Sequence, residues 1–227
     1  MAYFLKTLLT LPGILLAFVI NGFARAYTSD KLGDPSPRNM GKLNLSPLTH
    51  IDPIGFLLIL VSGFGWTKPV FTDSRYYKNR KRGEILVALS GSIGNFLLAF
   101  LCLILQKIML HFGMLNNFTS PLLLILSYAM AVNISLGLFV LLPIYPLSGF
   151  QILEALVGSK YYSVLNFLQQ YGFYILLLLM FSGVLKLIIA IPYSIILAIM
   201  HLLINAPFLL FEFVKKYFPI LFKLIKK

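Results

Sequence analysis

The sequence predicts an all-α polytopic integral membrane protein. Three observations predict it. Of the 227 residues, 59% are hydrophobic and only 11% charged, whereas about a quarter of a soluble domain is charged. Apolar runs of roughly 20 residues, the length that crosses a hydrocarbon core as a helix, recur along the chain. The runs are unbroken, without the alternation of a membrane β-barrel strand. The net charge of +12 is expected to sit in loops that set orientation and meet anionic lipid headgroups, so the expected partners are the lipid bilayer and not nucleic acid. The single cysteine, Cys102, lies inside an apolar run and reads as a small buried hydrophobe.

In order, the first span covers about residues 4–27. Pro12 and Gly13 loosen it, and Asn21 and Arg25, at i and i+4, share a face near its end. Residues 28–53 form a loop in which Pro35, Pro37, Pro47 and Pro53 forbid a continuous helix. The stretch 54–66 is apolar but only 13 residues long and is interrupted by Gly63 and Gly65. It is too short to cross and suits a re-entrant segment. Lys31, Arg38 and Lys42 precede it, and Lys68, Arg75, Lys78, Arg80, Lys81 and Arg82 follow. The positive-inside rule therefore puts both loops in the cytoplasm and the N-terminus outside.

A second full span occupies about 82–111, where Ala88, Ser90, Gly91 and Gly94 are small enough for another backbone to approach. The loop 112–120 has no Lys or Arg, as an outside loop should. Its Asn117-Phe118-Thr119 is formally a glycosylation sequon of little weight here. A third span, 121–142, returns inward. Ser148 and Gln151 then have the spacing of a capping box opening the run 150–157. Apolar stretches at about 164–185 and 187–204 follow, separated by Lys186, giving about five to six membrane segments. The tail 207–227 alternates bulky apolar residues with lysines. It reads as a basic amphipathic helix lying on anionic lipid, the plainer alternative being a solvated tail.

The run 15–55 resembles, closely, the opening of the site-2 protease family of intramembrane zinc metalloproteases. Its carriers are the Asp30-Lys31-Leu32-Gly33-Asp34-Pro35 stretch and His50-Ile51-Asp52-Pro53-Ile54-Gly55. Further on, Gly65-Trp66-Thr67-Lys68-Pro69-Val70 resembles the family's GWAKPV, the stretch 88–95 its ALAGPLAN, and Leu141-Leu142-Pro143-Ile144-Tyr145-Pro146-Leu147-Ser148-Gly149 its NLLPIPPLDG. The resemblance covers about 15–156. It implies a three-helix core with a re-entrant segment, often a β-hairpin, divided as a core at 1–158, C-terminal transmembrane helices at 159–206 and the tail at 207–227. It also implies a bacterial cytoplasmic membrane. Because it runs straight through Ala24-Arg25-Ala26, the first apolar run is read as a retained span and not as a signal peptide.

The resemblance further implies where zinc chemistry would lie, and there the chain departs from the pattern. Asn21, Gly22 and Arg25 stand where the family has its first zinc-binding histidine, its general-base glutamate and its second histidine. Ser148 stands where it has the third ligand, an aspartate, and Val140 where an asparagine opens the motif. Asn is a poor neutral ligand, Arg stays protonated and Gly has no side chain. The other motif positions, His50, Asp52, Pro53, Gly91, Asn95, Pro143, Pro146 and Gly149, are expected to shape the pocket. No metal ligand and no cofactor is expected, although zinc belongs to the family. His50 stands where the family's histidine is not a ligand, and His111 and His201 lie far from it along the chain.

The expectation is therefore a catalytically inactive homologue, a pseudoprotease and not an enzyme. It would bind a transmembrane helix or membrane protein partner without cutting it. Two alternatives stay open: an active intramembrane metallopeptidase with atypical zinc ligands, and a transporter or lipid-binding protein on the same core. Ser148 as a nucleophile lacks an evident base. Arg25 either fills the vacated cavity, bonding to Asn21, Ser148 or backbone carbonyls, or snorkels to water.

Overall fold

The structure is a computed structural model that describes residues 2–62, 65–113, 116 and 119–217. Among these residues it consists of nine α-helices joined by turns, with no strand. They are α1 (Ala2–Lys31), α2 (Ser36–Asn39), α3 (Pro47–His50), α4 (Pro53–Ser62), α5 (Arg80–His111), α6 (Thr119–Phe139), α7 (Ser148–Val157), α8 (Tyr162–Phe181) and α9 (Val184–Tyr217). Five of them, α1, α5, α6, α8 and α9, are long and apolar enough to cross a membrane, as expected for helices of 20 residues or more.

Helices α1, α5 and α6 pack on one another and form the core. Contact between α1 and α6 is close because Gly13 has no side chain: a Cβ there would lie 2.6 Å from the Ala129 Cα. Pro12 sits inside α1 without ending it. In a bilayer the tails are as apolar as leucine, so backbone approach and polar contacts hold such helices together. The polar contact here is a chain of amides, one from each core helix. Asn21 Nδ2 of α1 donates to Asn95 Oδ1 of α5 at 3.0 Å. Asn95 Nδ2 donates to Asn133 Oδ1 of α6 and to the Ala17 carbonyl, each at 3.3 Å. Asn133 Nδ2 closes the chain on the Ala129 carbonyl at 2.8 Å. Asn95 and Asn133 are fully buried. Outside this trio, α7 packs on α5 and α8 on α9. Met200 of α9 joins Ala99, Leu103 and Ile134 in an apolar cluster.

The segment between α1 and α5 leaves and returns at one end of the bundle. Asp34 fixes this. It accepts from Ser29 Oγ at 2.7 Å, the Ser36 amide at 2.9 Å and the Asp73 amide at 2.8 Å, and Tyr77 OH meets Ser29 Oγ at 2.8 Å. Burial alone would raise the Asp34 pKa, but the hydrogen bonds from Ser36, Asp73 and Ser29 outweigh it and hold the carboxyl below its ordinary value. Burial pushes the Tyr77 phenol up.

The stretch read from the sequence as re-entrant, often a hairpin in the family, opens here as the helix Pro53–Ser62. Asp52 Oδ1 accepts from the Ile54 and Gly55 amides at 3.0 and 2.9 Å, capping α4, and Pro53 supplies a preset first-turn φ. Pairing in this region among the described residues is one antiparallel bridge, Ile51 with Thr67. At the other end of the chain, α9 continues to Tyr217, so the first part of the basic tail extends the last helix. Residues 218–227, and the sequon residues Asn117 and Phe118, lie outside the described residues.

Candidate functional site

Asn21 and Arg25, one turn apart on α1, serve different neighbours. Asn21 lies against Gly91 of α5: a Cβ at position 91 would meet its amide at 2.8–2.9 Å. Gly91 thus makes room for the head that bonds Asn95. Arg25 turns instead to α7. Its Nη1 donates to Ser148 Oγ at 2.6 Å and its Nη2 to Gln151 Oε1 at 3.0 Å. This joins positions 123 residues apart in sequence. The bond to Ser148 is one of the contacts the sequence left open, beside bonds to Asn21 or backbone carbonyls and snorkelling to water. The bond to Asn21 is not formed, because the amide is engaged in the core.

The capping box is not formed either. The N-cap of α7 is Leu147, in an extended conformation with no side-chain cap, and Ser148 is the first helical residue. A capping serine must stand one place earlier, outside the helix. The oxygens of Ser148 and Gln151 both go to the guanidinium instead. What places Ser148 is the turn before it. The Gly149 amide donates to the Val140 carbonyl at 2.8 Å, and a Cβ on Gly149 would fall 2.0 Å from the Leu141 carbonyl oxygen, so position 149 must be glycine. Pro143 and Pro146 lie in this turn between α6 and α7.

Gly22 faces His50, whose Nδ1 would be 2.5 Å from a Cβ at position 22. The imidazole occupies the space a side chain there would need. His50 is 1% exposed, and its Nε2 meets the Asn44 carbonyl at 2.8 Å. A carbonyl only accepts, so Nε2 carries the proton and Nδ1 keeps a bare lone pair. Burial, with a smaller contribution from Lys42, holds the His50 pKa below its usual value. Lys42 and Lys68 donate to the Thr49 and Leu48 carbonyls at 2.7 and 2.9 Å, fixing the turn that carries His50.

Three buried polar atoms have no protein partner among the described residues: Arg25 Nε, His50 Nδ1 and Ser92 Oγ. Two of the three belong to this site. The ion pairs among the described residues join Arg38 with Asp30, Arg75 with Asp73 and Arg80 with Glu84, so Arg25 has no carboxylate partner there. Beside it opens a cleft of about 700 Å³ between the starts of α5 and α8 and the body of α7, lined by Tyr77, Arg80, Lys81, Glu84, Gln151 and Glu154 among others. Gln151 is common to both: it holds Arg25 and forms part of the cleft wall.

A zinc ion does not suit this donor set. The guanidinium of Arg25 brings positive charge to these residues, Asn21 is committed to Asn95, and Ser148 Oγ already accepts from Arg25. Among the described residues no three His, Cys, Asp or Glu side chains converge. His111 ends α5 at the far side of the bundle, and His201 lies on α9. Sequence reasoning missed Asn133, the Ser29–Asp34–Tyr77 cluster and the role of Gln151. Asn133 carried a usable signal, an amide in the middle of an apolar run.

No protein-family model matches the chain, and no solved structure matches it. Two curated proteins are similar. YwhC of Bacillus subtilis, provisionally named a zinc metalloprotease, is 36% identical over 168 residues, covering 73% of this chain and 77% of YwhC. Rip2 of Mycolicibacterium smegmatis, named in the same provisional way, is 25% identical over 189 residues, covering 79% of this chain and 69% of Rip2.

Proposed function

Since the chain belongs to the site-2 protease family of intramembrane zinc metalloproteases, we propose that it is a catalytically inactive member, which binds a transmembrane helix or membrane protein partner without cleaving it. One observation carries this reading: the 2.6 Å bond between Arg25 and Ser148. Residues from α1 and α7 meet as a ligand set would, but the groups that meet are a cation and a hydroxyl. Hydrolysis inside a membrane needs an activated water, for which the family relies on zinc and a glutamate base. Gly22 offers no base, and the imidazole of His50 fills the room beside it. The protein lies in a membrane, and the reading places it in the bacterial cytoplasmic membrane with the Asp34 loop, the start of α5 and the cleft on the cytoplasmic side, beside anionic headgroups.

The test is incubation of the purified chain with a model transmembrane substrate in zwitterionic vesicles. The expected result is retention of the substrate on the protein with no cleavage. Chelator-sensitive cleavage would overturn it.

A second reading is an active intramembrane peptidase with atypical zinc ligands. The bare, buried Nδ1 of His50 and the names of the two relatives favour it. It requires stoichiometric zinc, which the first reading does not.

A further inference from the structure

The guanidinium of Arg25 is bound on one side only. Its Nη groups donate to two neutral oxygens, Ser148 Oγ and Gln151 Oε1, while Nε is buried with no partner. None of the ion pairs among the described residues includes it. It lies in a spanning helix, six residues before the end of α1 at Lys31, about 9 Å along the axis at 1.5 Å per residue. An arginine at such a depth is ordinarily paired, with an opposite charge or with backbone carbonyls. Neutral oxygens satisfy its hydrogen bonds but leave its charge uncompensated, whereas a carboxylate neutralises it and accepts two parallel N–H bonds at once.

We propose that Arg25 is a recognition site for a carboxylate carried on a transmembrane polypeptide. The carboxylate is an Asp or Glu side chain within two turns of the end of a bound helix. Gln151 is the placeholder. Its amide oxygen holds the guanidinium from the wall of the cleft beside α7, and a carboxylate entering there takes its place, forming the two-pronged pair that a planar guanidinium favours. The cleft itself does not supply the anion. Glu84 on its wall pairs with Arg80 at 3.0 Å, and Glu154, also on its wall, forms no ion pair with Arg25. A small soluble anion lacks the apolar body that would carry it to this depth, whereas a helix brings both. This inference rests on the helix-binding reading and names the chemistry of the partner.

The experiment uses the full chain in phosphatidylcholine vesicles and two labelled leucine-alanine transmembrane peptides. They are identical except for one Glu or Gln two turns from one end. The Glu peptide is expected to bind at least tenfold more tightly. The preference should vanish in Arg25→Gln and survive, reduced, in Arg25→Lys, which keeps the charge should the Gln variant fail to fold. Equal binding of both peptides to the natural chain would overturn carboxylate recognition while leaving helix binding intact. A preference that persists in Arg25→Gln would place the recognition elsewhere and also overturn it. Loss of the preference on adding phosphatidylglycerol would give the guanidinium to a lipid phosphate instead. Binding of neither peptide would overturn the helix-binding reading together with the inference.

Discussion

Asn21 and Arg25 are one turn apart on the same helix, and their hydrogen bonds are of opposite kinds. Asn21 belongs to a closed chain. Each amide from α1, α5 and α6 is bonded across or along the core, and the chain ends on backbone carbonyls. Arg25 belongs to an open set: a charge with two neutral partners and a buried Nε with none. Buried polar groups that serve the fold are satisfied within it. Groups left partly satisfied beside a cleft point to binding.

The comparison is broken most directly in the core. Asn95→Leu removes the middle amide and leaves both Asn21 and Asn133 short of a partner. At about 1–3 kcal/mol for each group left unpaired, the expected loss is about 2–6 kcal/mol, several degrees or more in the detergent melting midpoint. Next comes Gly91→Ala, whose methyl would press on the Asn21 amide at 2.8 Å. Overpacking of that kind costs about 1–3 kcal/mol, and Asn21→Ala in the same chain should restore part of it. Arg25→Leu should do less, because removing two hydrogen bonds is offset by relief of a desolvated charge. Its midpoint should stay within about 1 kcal/mol of the natural chain, at most a few degrees. A loss equal to that of Asn95→Leu would make Arg25 a closed structural element and erase the distinction.

The smallest effect is a pH dependence. The folded His50 pKa lies below its unfolded value, so the unfolded chain takes up the proton first. Stability is therefore full above the ordinary histidine pKa of about 6.5 and falls as pH drops through it toward the folded value. His50→Gln should flatten the melting midpoint between pH 7.5 and 5. An unchanged slope would show that the burial of His50 has no such consequence. Asp34, held low by its hydrogen bonds, loses its contribution only in the carboxylate range further down.

Much of the fold could be read from the sequence because crossing a bilayer demands long apolar helices, and all five spanning helices fall on the runs that hydropathy marks. The shape of the re-entrant stretch was less legible, since 13 apolar residues fit a hairpin or a helix. The Asp52 cap, seen only in three dimensions, goes with the helical form of 53–62. The pairing of Arg25 with Ser148 was one of several alternatives, raised only through the family resemblance, because no local rule connects residues 123 positions apart. Gln151 was misread for a related reason. Its spacing from Ser148 fits a capping box, but a cap depends on where the helix begins, and the Gly149 turn starts it one residue earlier. Asn133 could have been found from its polarity alone, while the Asp34 cluster is invisible until residues 29, 34, 73 and 77 are brought to one end of the bundle.

The claim that the catalytic metal site has been replaced is tested most directly by zinc content, measured by mass spectrometry on the full chain purified in mild detergent without chelator. The account predicts well below one zinc per chain, unchanged in His50→Gln. Stoichiometric zinc that falls away in His50→Gln would contradict it and establish a metal site built on other ligands.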